Sequence, residues 1–443
     1  MALGNEMKPA VASTRPHVVI VGGGFGGLSA AKALGHVPVD VTLIDRSNHY
    51  LFQPLLYQVA TGVLSPADIA MPTRFLLRRQ RNTTVLMDEV ERIDLTSHLV
   101  IARHLRLSYD FLIVATGSRH AYFGHDEWAP IAPGLKTLED AREIRHRFLC
   151  AFEEAEKSDS PAEQEALLTF VIVGGGPTGV ELAGVMPTIA RYGMQPDFRR
   201  VDPARVRVLL LEGGPRLLAT FPERLSQRAL RDLEGLGVTC RTDARVTRIT
   251  ADAVYVGDER IATRTVFWAA GNAASPLVRT MGVELDRAGR ALVTPDLAIP
   301  GSPNVFVIGD AALAVDSRRS RPGRQQYVPA LAPAANQMGE HAAQMIARTL
   351  SGRPREPFRY RNKGSLAVIG RNRAVADFER FAVTGPLAWW LWLTIHIAYL
   401  AGFRNRASVL LEWAYAYFTF RPGARLITEE RRASESAASS DPV

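Results

Sequence analysis

The chain has 443 residues, which is enough for two or three domains with substantial hydrophobic cores. Hydrophobic residues make up 47% of it and charged residues 22%, values that exclude an intrinsically disordered protein. The net charge of +8 suits an anionic membrane surface or anionic cofactors, and no nucleic-acid-binding motif accompanies it, so nucleic acid is not expected as a partner. Cys150 and Cys240 lie 90 residues apart, so the sequence predicts neither a redox dithiol nor a metal site.

The two ends of the chain differ in character from the rest. Residues 1–16 lack the apolar segment of a secretory signal, so we expect a disordered extension and a protein on the cytoplasmic side. Residues 431–443 are rich in alanine, serine and charged residues and are expected to form a disordered tail.

A strand, a glycine turn, a helix and a second strand follow one another between His17 and Asp45. In the turn, Gly22 permits a tight bend, Gly24 lets a pyrophosphate approach the backbone, and Gly27 lets the helix lie close to the sheet. Asp45 ends the second strand, 23 residues after Gly22, where it can accept hydrogen bonds from a ribose. A glycine-rich turn alone would be ambiguous, but with strand, helix and acid in register the pattern predicts a dinucleotide site.

The same pattern returns 152 residues further along the chain. Gly174, Gly176 and Gly179 take the three glycine positions, and the second strand of this copy ends on Glu212. Glu212 lies 38 residues after Gly174, whereas the usual spacing is about 20. The segment RYGMQPDFRRVDPARV accounts for the difference as an insertion between the helix and the strand. A repeat of this length predicts two copies of one nucleotide-binding fold.

The segments around the two copies are also informative. YDFLIVATGS at 109–118 recurs as TVFWAAGN at 265–272, and short strands are expected within 83–107. Residues 138–165 form either a helix pair or one broken helix.

The chain then returns to the first fold. NVFVIGDAA at 304–312 is expected to be a strand that runs into a turn at Gly309 and Asp310 and opens a helix there. A loop leads to a further helix that ends at Leu350, and a third region starts at Arg353.

Two nucleotide folds, the second inserted in the first, resemble the two-dinucleotide-binding-domain flavoproteins. The resemblance implies an α/β protein with an FAD-binding Rossmann-like domain at 17–125 and 290–352 and an NADH-binding one at 165–289. The residues expected to contact FAD are Gly22, Gly24, Gly27, Asp45, Thr116, Gly117, Gly309 and Asp310. Those expected to contact NADH are Gly174, Gly176, Gly179, Glu212 and Gly271.

Two acidic residues of the inner copy carry further expectations. Glu212 stands where the 2′-phosphate of NADPH would lie, so like-charge repulsion favours NADH, although Arg216 is close in sequence. Glu181 falls in the first turns of the second helix. There its carboxylate either pairs with the helix dipole or lies beside the nicotinamide.

Three runs closely resemble the type II, non-proton-pumping NADH dehydrogenases. They are FQPLLYQVATGVLSPADIA at 52–70, GGGPTGVELAG at 174–184 and KGSLAVIGRNRAVA at 363–376, and with the aromatic tail the resemblance covers residues 17–430. That family carries an AQxAxQ signature on the quinone side of the flavin. The matching run here is APAANQ, in which Gln337 fits the last glutamine and Pro333 replaces the first. Lys363 is implied to lie near the flavin and the quinone head.

The region 353–430 is expected to attach the protein to a membrane. Leu387–Phe403 carries no formal charge, Ala407–Phe420 is interrupted only by Glu412, and both runs are rich in Trp and Tyr. The arginines that bracket them are Arg404, Arg406, Arg421 and Arg425. Three interpretations stay open: amphipathic helices in the membrane interface, helices buried in a homodimer, and a transmembrane span.

The resemblance implies a peripheral enzyme on the cytoplasmic face of the cell inner membrane. It would pass hydride from NADH to FAD and then two electrons to ubiquinone or menaquinone, without pumping protons. A sulfide:quinone oxidoreductase would need paired redox cysteines, which this sequence lacks. The alternative from another class is a redox-sensing or interaction protein of the apoptosis-inducing-factor type that only binds FAD and NADH.

Overall fold

The computed structural model describes residues 14–195, 197–320, 325–419 and 423–427. The predicted tail at 431–443 and all but the last residues of the predicted extension at 1–16 lie outside this part of the chain.

The first part of the chain contains β1 (His17–Val21), α1 (Phe25–Ala33), β2 (Asp40–Asp45), β3 (His49–Leu51), α2 (Leu56–Ala60), α3 (Pro66–Ile69), β4 (Ala70–Pro72), α4 (Thr73–Leu77), β5 (Thr83–Met87), β6 (Val90–Asp94), β7 (Leu99–Ala102), β8 (Arg106–Ser108), β9 (Phe111–Val114) and β10 (Ser118–His120). The middle part contains α5 (Leu138–Lys157), α6 (Pro161–Leu167), β11 (Thr169–Val173), α7 (Pro177–Thr188), β12 (Arg207–Leu211), α8 (Glu223–Glu234), β13 (Val238–Arg241), β14 (Val246–Ile249), β15 (Ala253–Val256), β16 (Glu259–Ala262), β17 (Thr265–Trp268) and β18 (Asn272–Ala274). The last part contains β19 (Ala291–Leu292), β20 (Ala298–Ile299), β21 (Ser302–Val307), β22 (Ala312–Leu313), α9 (Ala332–Leu350), β23 (Ser365–Gly370), β24 (Arg373–Asp377), β25 (Ala382–Thr384), α10 (Gly385–Tyr399) and α11 (Phe403–Thr419).

The outer Rossmann-like unit is built on a six-stranded sheet in the order β20-β21-β9-β1-β2-β5. All its pairings are parallel except that of β20 with β21. Val18 to Val21 are at most 4% exposed, because parallel strands are covered on both faces. The strands come from before and after the second unit, which confirms the predicted insertion of one nucleotide fold in the other.

Helix α9 covers this sheet by packing closely against α1. A Cβ atom on Gly339 would lie only 2.2 Å from the carbonyl oxygen of Gly26, so glycine at this position lets the two helices touch. The hydroxyl of Ser29 donates to Oδ1 of Asn336 at 3.0 Å across the same contact. A segment late in the chain thus completes the fold of the first residues.

The inner unit has a parallel sheet in the order β13-β12-β11-β17 and a separate antiparallel sheet of β14, β15 and β16. The predicted insertion lies between α7 and β12, where it forms a π-helical turn at Ile189–Met194 and a 3₁₀ turn at Pro203–Arg205. It explains the long interval between Gly174 and Glu212.

Two connections join the units. Strands β10 and β18 follow the two repeated runs and pair antiparallel with each other, with Ser118 opposite Ala274 and His120 opposite Asn272. The stretch around 138–165 forms two helices, α5 and α6, the first of the two predicted alternatives, and Thr137 caps α5 by accepting the backbone N–H of Asp140.

The predicted helix at the Gly309–Asp310 turn is wrong. Gly309–Ala311 makes a single 3₁₀ turn, and the chain continues as β22. Gly309 has a φ of +67°, which ends any helical path, and β22 pairs in parallel with β19 instead. The next helix, α9, begins at Ala332.

The C-terminal region holds a three-stranded antiparallel sheet, β23-β24-β25, in addition to the predicted helices. The hairpin between β23 and β24 turns at Asn372, whose φ of +58° suits asparagine. Helix α7 of the inner unit packs on β23, and a Cβ on Gly184 would lie 1.7 Å from the carbonyl oxygen of Ile369. Helix α10 packs on β24.

Helices α10 and α11 have one face on the protein and one face exposed. Ala388, Trp392 and Val409 are at most 3% exposed. Apolar side chains that are more than half exposed are Leu387, Trp390, Phe403, Leu411, Tyr415 and Phe418. Helix α10 is apolar on both faces, so the prediction of an amphipathic helix is wrong for it. In the described part of the chain, no helix combines the length and the apolar character needed to cross a membrane.

Candidate active site

The first glycine turn has the geometry that a dinucleotide requires. Gly22 has a φ of +103°, and a Cβ there would lie 2.4 Å from the carbonyl oxygen of Ala115. A Cβ on Gly27 would lie 1.8 Å from the carbonyl oxygen of Gly22, so helix and turn touch. A Cβ on Gly24 would meet no atom of the described residues within 4 Å, which leaves open space at the helix start for a phosphate.

The second turn repeats this geometry. Gly174 has a φ of +112°, and a Cβ there would lie 2.5 Å from the carbonyl oxygen of Ala269. A Cβ on Gly179 would lie 1.9 Å from the carbonyl oxygen of Gly174, and one on Gly176 would meet nothing described within 4 Å. The sequence repeat is therefore a repeat of two glycine turns, each with open space at the start of its helix.

The acid at the end of each second strand is bound to its own glycine turn. Oδ2 of Asp45 accepts the N–H of Gly23 at 2.5 Å, and Oδ1 accepts the N–H of Ser47 at 2.7 Å. In the inner unit, Oε2 and Oε1 of Glu212 accept the N–H groups of Gly175 at 2.6 Å and of Gly214 at 2.7 Å. Each carboxylate thus fixes the turn, and its outer lone pairs stay available to a ribose hydroxyl.

Arg216, which could have favoured a 2′-phosphate, is engaged elsewhere. Its guanidinium donates to the carbonyl oxygens of Phe221 at 2.9 Å and Ala219 at 2.7 Å. Glu212 is therefore the charged group that the structure places at the end of the second strand.

The remaining predicted FAD contacts surround a polar chain in the outer unit. Ser118 donates to Oδ2 of Asp310 at 2.6 Å and accepts from Nζ of Lys136 at 2.7 Å. Burial lowers the pKa of Lys136, and Asp310 and Asp140 oppose that effect. Oγ1 of Thr116 is buried and has no hydrogen-bond partner among the described residues. A Cβ on Gly117, whose φ is +63°, would enter open space. An unpaired hydroxyl and an open glycine side by side fit a bound cofactor.

A cavity of about 120 Å³ lies where the two units meet. Gly271, a predicted NADH contact, lines it, and so does Glu181, for which a place beside the nicotinamide is one of the two expected positions. Other lining residues from the outer unit and the connections include Gln53, Tyr57 and Lys136. Burial raises the pKa of Glu181 to about 8, and a hydrogen bond from the backbone of Val368 opposes that rise. Glu181 therefore lines a cavity to which both units contribute.

Tyr57 belongs to a buried hydrogen-bond chain that the sequence did not predict. Nε1 of Trp413 on α11 donates to Oε1 of Gln58 at 2.6 Å, and Nε2 of Gln58 donates to Oη of Tyr57 at 2.8 Å. Because an indole can only donate, it fixes the orientation of the amide, and the Tyr57 hydroxyl must donate its proton elsewhere. Burial raises the pKa of Tyr57, and the charge of Glu181 adds to that effect. The chain links the C-terminal helices to the cavity.

Aromatic residues of α10 pack beside this hydrogen-bond chain. Trp392 stacks on His396 with ring centroids 4.3 Å apart and lies 5.3 Å from the ring of Trp413. Burial lowers the pKa of His396 to about 4, so its ring is neutral near pH 7. Nε1 of Trp392 is buried without a partner among the described residues.

Gln337 and Lys363 lie outside the residues that line the cavity. The side-chain amide of Gln337 donates to the carbonyl oxygens of Pro333 and Arg361, both at 3.0 Å, and accepts the N–H of Arg361. It therefore fixes the segment just before Lys363. Nζ of Lys363 donates to Oη of Tyr399 at the end of α10, at 3.1 Å.

Phe123 covers the predicted NADH contact at Gly271. Its φ is +54°, its side chain is 66% exposed, and a Cβ on Gly271 would lie 2.4 Å from its ring. Sequence reasoning missed Phe123, Tyr57 and Lys136. Tyr57 lies in the run that resembles type II enzymes, so that run was the available signal, whereas no pattern marks Lys136 in its linker.

The comparisons with known proteins agree with this architecture. A family model described as pyridine nucleotide-disulphide oxidoreductase matches residues 16–339, and one described as NDH2 C-terminal domain matches residues 362–422. Two relatives from Mycobacterium tuberculosis, both named type II NADH:quinone oxidoreductase, are 44% and 43% identical. Both alignments cover 96% of this chain, and they cover 93% and 92% of the relatives.

A solved structure described as NDH2 from Plasmodium falciparum in complex with NADH has the same fold. It is 20% identical, with a TM-score of 0.83, and the match covers 94% of this chain and 100% of that one.

The fold and the two glycine turns thus define a pyridine nucleotide-disulphide oxidoreductase, the class whose family model spans both units. Within that class, relatives at 44% and 43% identity extend over nearly the whole length, and the C-terminal region has its own matching model. The chain belongs to the type II NADH:quinone oxidoreductases. These findings do not favour the alternative of the apoptosis-inducing-factor type.

Proposed function

We propose that this protein oxidises NADH, uses FAD as its resident cofactor and reduces a membrane quinone without pumping protons. The observation that carries the proposal is the repeated nucleotide turn, present in two units that share the cavity lined by Glu181 and Tyr57. The reaction converts NADH, one proton and a quinone to NAD⁺ and a quinol.

The outer unit, at 17–125 and 290–352, would hold FAD. Bound FAD would supply a hydride acceptor for NADH and an electron donor for the quinone. The open site at Gly24 suits its pyrophosphate, Asp45 suits its adenosine ribose, and the unpaired hydroxyl of Thr116 is free to bind it. The Asp310–Ser118–Lys136 chain supports the opposite end of the site.

The inner unit, at 165–289, would hold NADH in the same manner. Gly176 leaves space for the pyrophosphate, and Glu212 accepts the ribose hydroxyls. A 2′-phosphate would meet the Glu212 carboxylate while Arg216 is bound to backbone carbonyls, so NADH is the preferred nucleotide. Holding nicotinamide and flavin in contact is the main catalytic contribution of the protein, because hydride transfer needs no added base.

The quinone would approach from the side of α10 and α11. On this side Trp392 has a buried N–H without a hydrogen-bond partner among the described residues, and Lys363 is held against Tyr399 at the end of α10. Gln337 acts as a positioning residue through its hydrogen bonds to Arg361. Neither ubiquinone nor menaquinone is favoured by these contacts.

The exposed apolar surface of α10 and α11 would attach the protein to the cytoplasmic face of the cell inner membrane. Helix α10 is apolar all round, so its exposed face, which includes Leu387 and Trp390, requires an apolar surrounding. The domain limits and the formation of a homodimer stay predictions, and the region 353–430 would supply the attachment.

Anaerobic stopped-flow spectroscopy of the purified flavoprotein tests the proposal. NADH should bleach the flavin absorbance, and ubiquinone or menaquinone analogues should restore it. The matched variants are Gly24→Val and Gly176→Val, which place the same side chain in the two equivalent open sites. Gly24→Val should lose FAD, whereas Gly176→Val should keep FAD but lose its reduction by NADH.

Two results would contradict the proposal. Full flavin occupancy in Gly24→Val would show that the outer turn is not the FAD site. A flavin that NADH reduces but no quinone reoxidises would favour the redox-sensing alternative.

A further inference from the structure

A cleft of about 270 Å³ lies between α8 and β25, outside the active site. Its lining consists of Arg224, Leu225, Arg228 and Arg231 from α8 and Ala382 and Thr384 from β25. The three arginines are four and three residues apart, so they lie on one face of the helix.

The positive charge of this cleft is only partly compensated. Nε of Arg228 pairs with Oδ2 of Asp232 at 2.8 Å. Arg224 and Arg231 form no ion pair with the described residues. Like charges at this spacing repel one another on a helix. An anion in the cleft would relieve that repulsion and accept several charge-assisted hydrogen bonds.

The cleft borders the surface that we assign to the membrane. Strand β25 leads directly into α10, and a Cβ on Gly385 would lie 3.7 Å from Nη2 of Arg228. Phe381, Leu387 and Trp390 flank this junction and are 58%, 62% and 56% exposed. A cationic cleft beside exposed apolar side chains matches the two parts of a phospholipid.

We propose that the cleft binds the phosphate of an anionic phospholipid headgroup. Arg224 and Arg231 supply the uncompensated charge, and Phe381 and Leu387 contact the apolar part of the same lipid. The inference rests on the proposed membrane attachment and specifies the lipid that it selects.

Two of the four arginines expected from the sequence to face lipid are bound within the protein, whereas Arg404 is exposed. Arg406 donates to the carbonyl oxygens of Leu400 and Ala398, and Arg425 pairs with Asp197. Arg421 lies outside the described residues. The cleft therefore adds Arg224 and Arg231 to Arg404 as exposed cationic groups in this region.

Vesicle flotation of the full-length, FAD-loaded protein tests the inference. The vesicles are pure phosphatidylcholine or phosphatidylcholine with one third phosphatidylglycerol. The double variant Arg224→Gln with Arg231→Gln is compared with a matched control, Arg106→Gln with Arg287→Gln, which removes two exposed arginines that do not line the cleft.

The cleft variant should bind anionic vesicles about 30-fold more weakly, because each arginine near an anionic surface contributes about 1 kcal/mol. Its binding to neutral vesicles and its NADH:ferricyanide activity should not change. The control variant should change anionic binding less than threefold.

Equal losses in the cleft and control variants would overturn the inference while leaving membrane attachment intact. Loss of the anionic preference in millimolar inorganic phosphate, at constant ionic strength, would show that the cleft takes free phosphate and would overturn the lipid assignment. Failure of the unmodified protein to bind either vesicle would overturn the membrane attachment itself.

Discussion

Replacing Glu181 by glutamine tests the burial of the carboxyl group in the shared cavity. Burial raises the pKa of Glu181 to about 8, against an ordinary value of 4.5. Between these values the folded protein keeps a proton that the unfolded chain has released. The stability that depends on this carboxyl is therefore fully present below pH 4.5 and is lost as the pH rises to about 8.

The size of the effect follows from the same two values. A tenfold change in proton affinity corresponds to about 1.4 kcal/mol, so the ceiling is roughly 5 kcal/mol above pH 8. Water that enters the cavity reduces the pKa shift, so we expect the unmodified protein to lose about 2–4 kcal/mol of its free energy of unfolding over this pH range. Glutamine does not titrate. Glu181→Gln should match the unmodified protein near pH 5 and exceed its stability near pH 9.

Urea unfolding of the FAD-loaded protein, without NADH, measures this difference through flavin fluorescence at a series of pH values. The control is Glu340→Gln, which alters an exposed glutamate on α9. Its stability should follow that of the unmodified protein at every pH. If Glu181→Gln does the same, the carboxyl is not held protonated by the fold, and the argument from burial is refuted.

Three further changes test other parts of the site. Asp310→Ala should yield protein with substoichiometric flavin, measured by the ratio of flavin to protein absorbance, and full occupancy would contradict its assignment. The unmodified enzyme should have a kcat/KM for NADH about tenfold or more above that for NADPH, which corresponds to about 1.4 kcal/mol of discrimination. Glu212→Gln should reduce this ratio. Equal kcat/KM values for the two nucleotides in the unmodified enzyme would refute the role of Glu212. Trp413→Phe and Gln58→Leu should each lower the free energy of unfolding by about 1–3 kcal/mol, and the double variant by less than the sum. Strictly additive losses would show that this hydrogen bond does not stabilise the fold.

The parts of the fold that sequence could predict are those fixed by local rules. The glycine spacing around Gly22 and Gly174 predicts positive φ angles and close backbone contacts that only glycine tolerates. The structure confirms both features in the two turns. The prediction of a helix at Gly309 was wrong because β22 pairs with β19, whose residues lie 21 positions earlier in the chain. A local pattern carries no information about such a partner.

The same limit applies to the candidate site. The acids Asp45 and Glu212 could be located because their strand positions follow from the repeat. The orientation of Tyr57 could not, since it depends on Trp413, which lies 356 residues away in the chain. Nor could the sequence show that Gln337 is bonded to the backbone of Arg361, because the AQxAxQ resemblance identifies a position and not its contacts.

The hydrogen bond between Trp413 and Gln58 connects the helices that we assign to the membrane with Tyr57, which lines the cavity. Helix α11 also binds the outer unit through Asn405, which donates to the carbonyl oxygens of Ala67 and Ala70. Deleting the chain after Thr384 would therefore remove the indole that orients Gln58 and the amide that binds the backbone at Ala67 and Ala70, so the shortened protein would not be a water-soluble version of the same catalyst. A bilayer that tilts α11 would alter the direction in which the Tyr57 hydroxyl donates. We therefore expect the composition and thickness of the host membrane to change the turnover rate of the enzyme, as substrate concentration does.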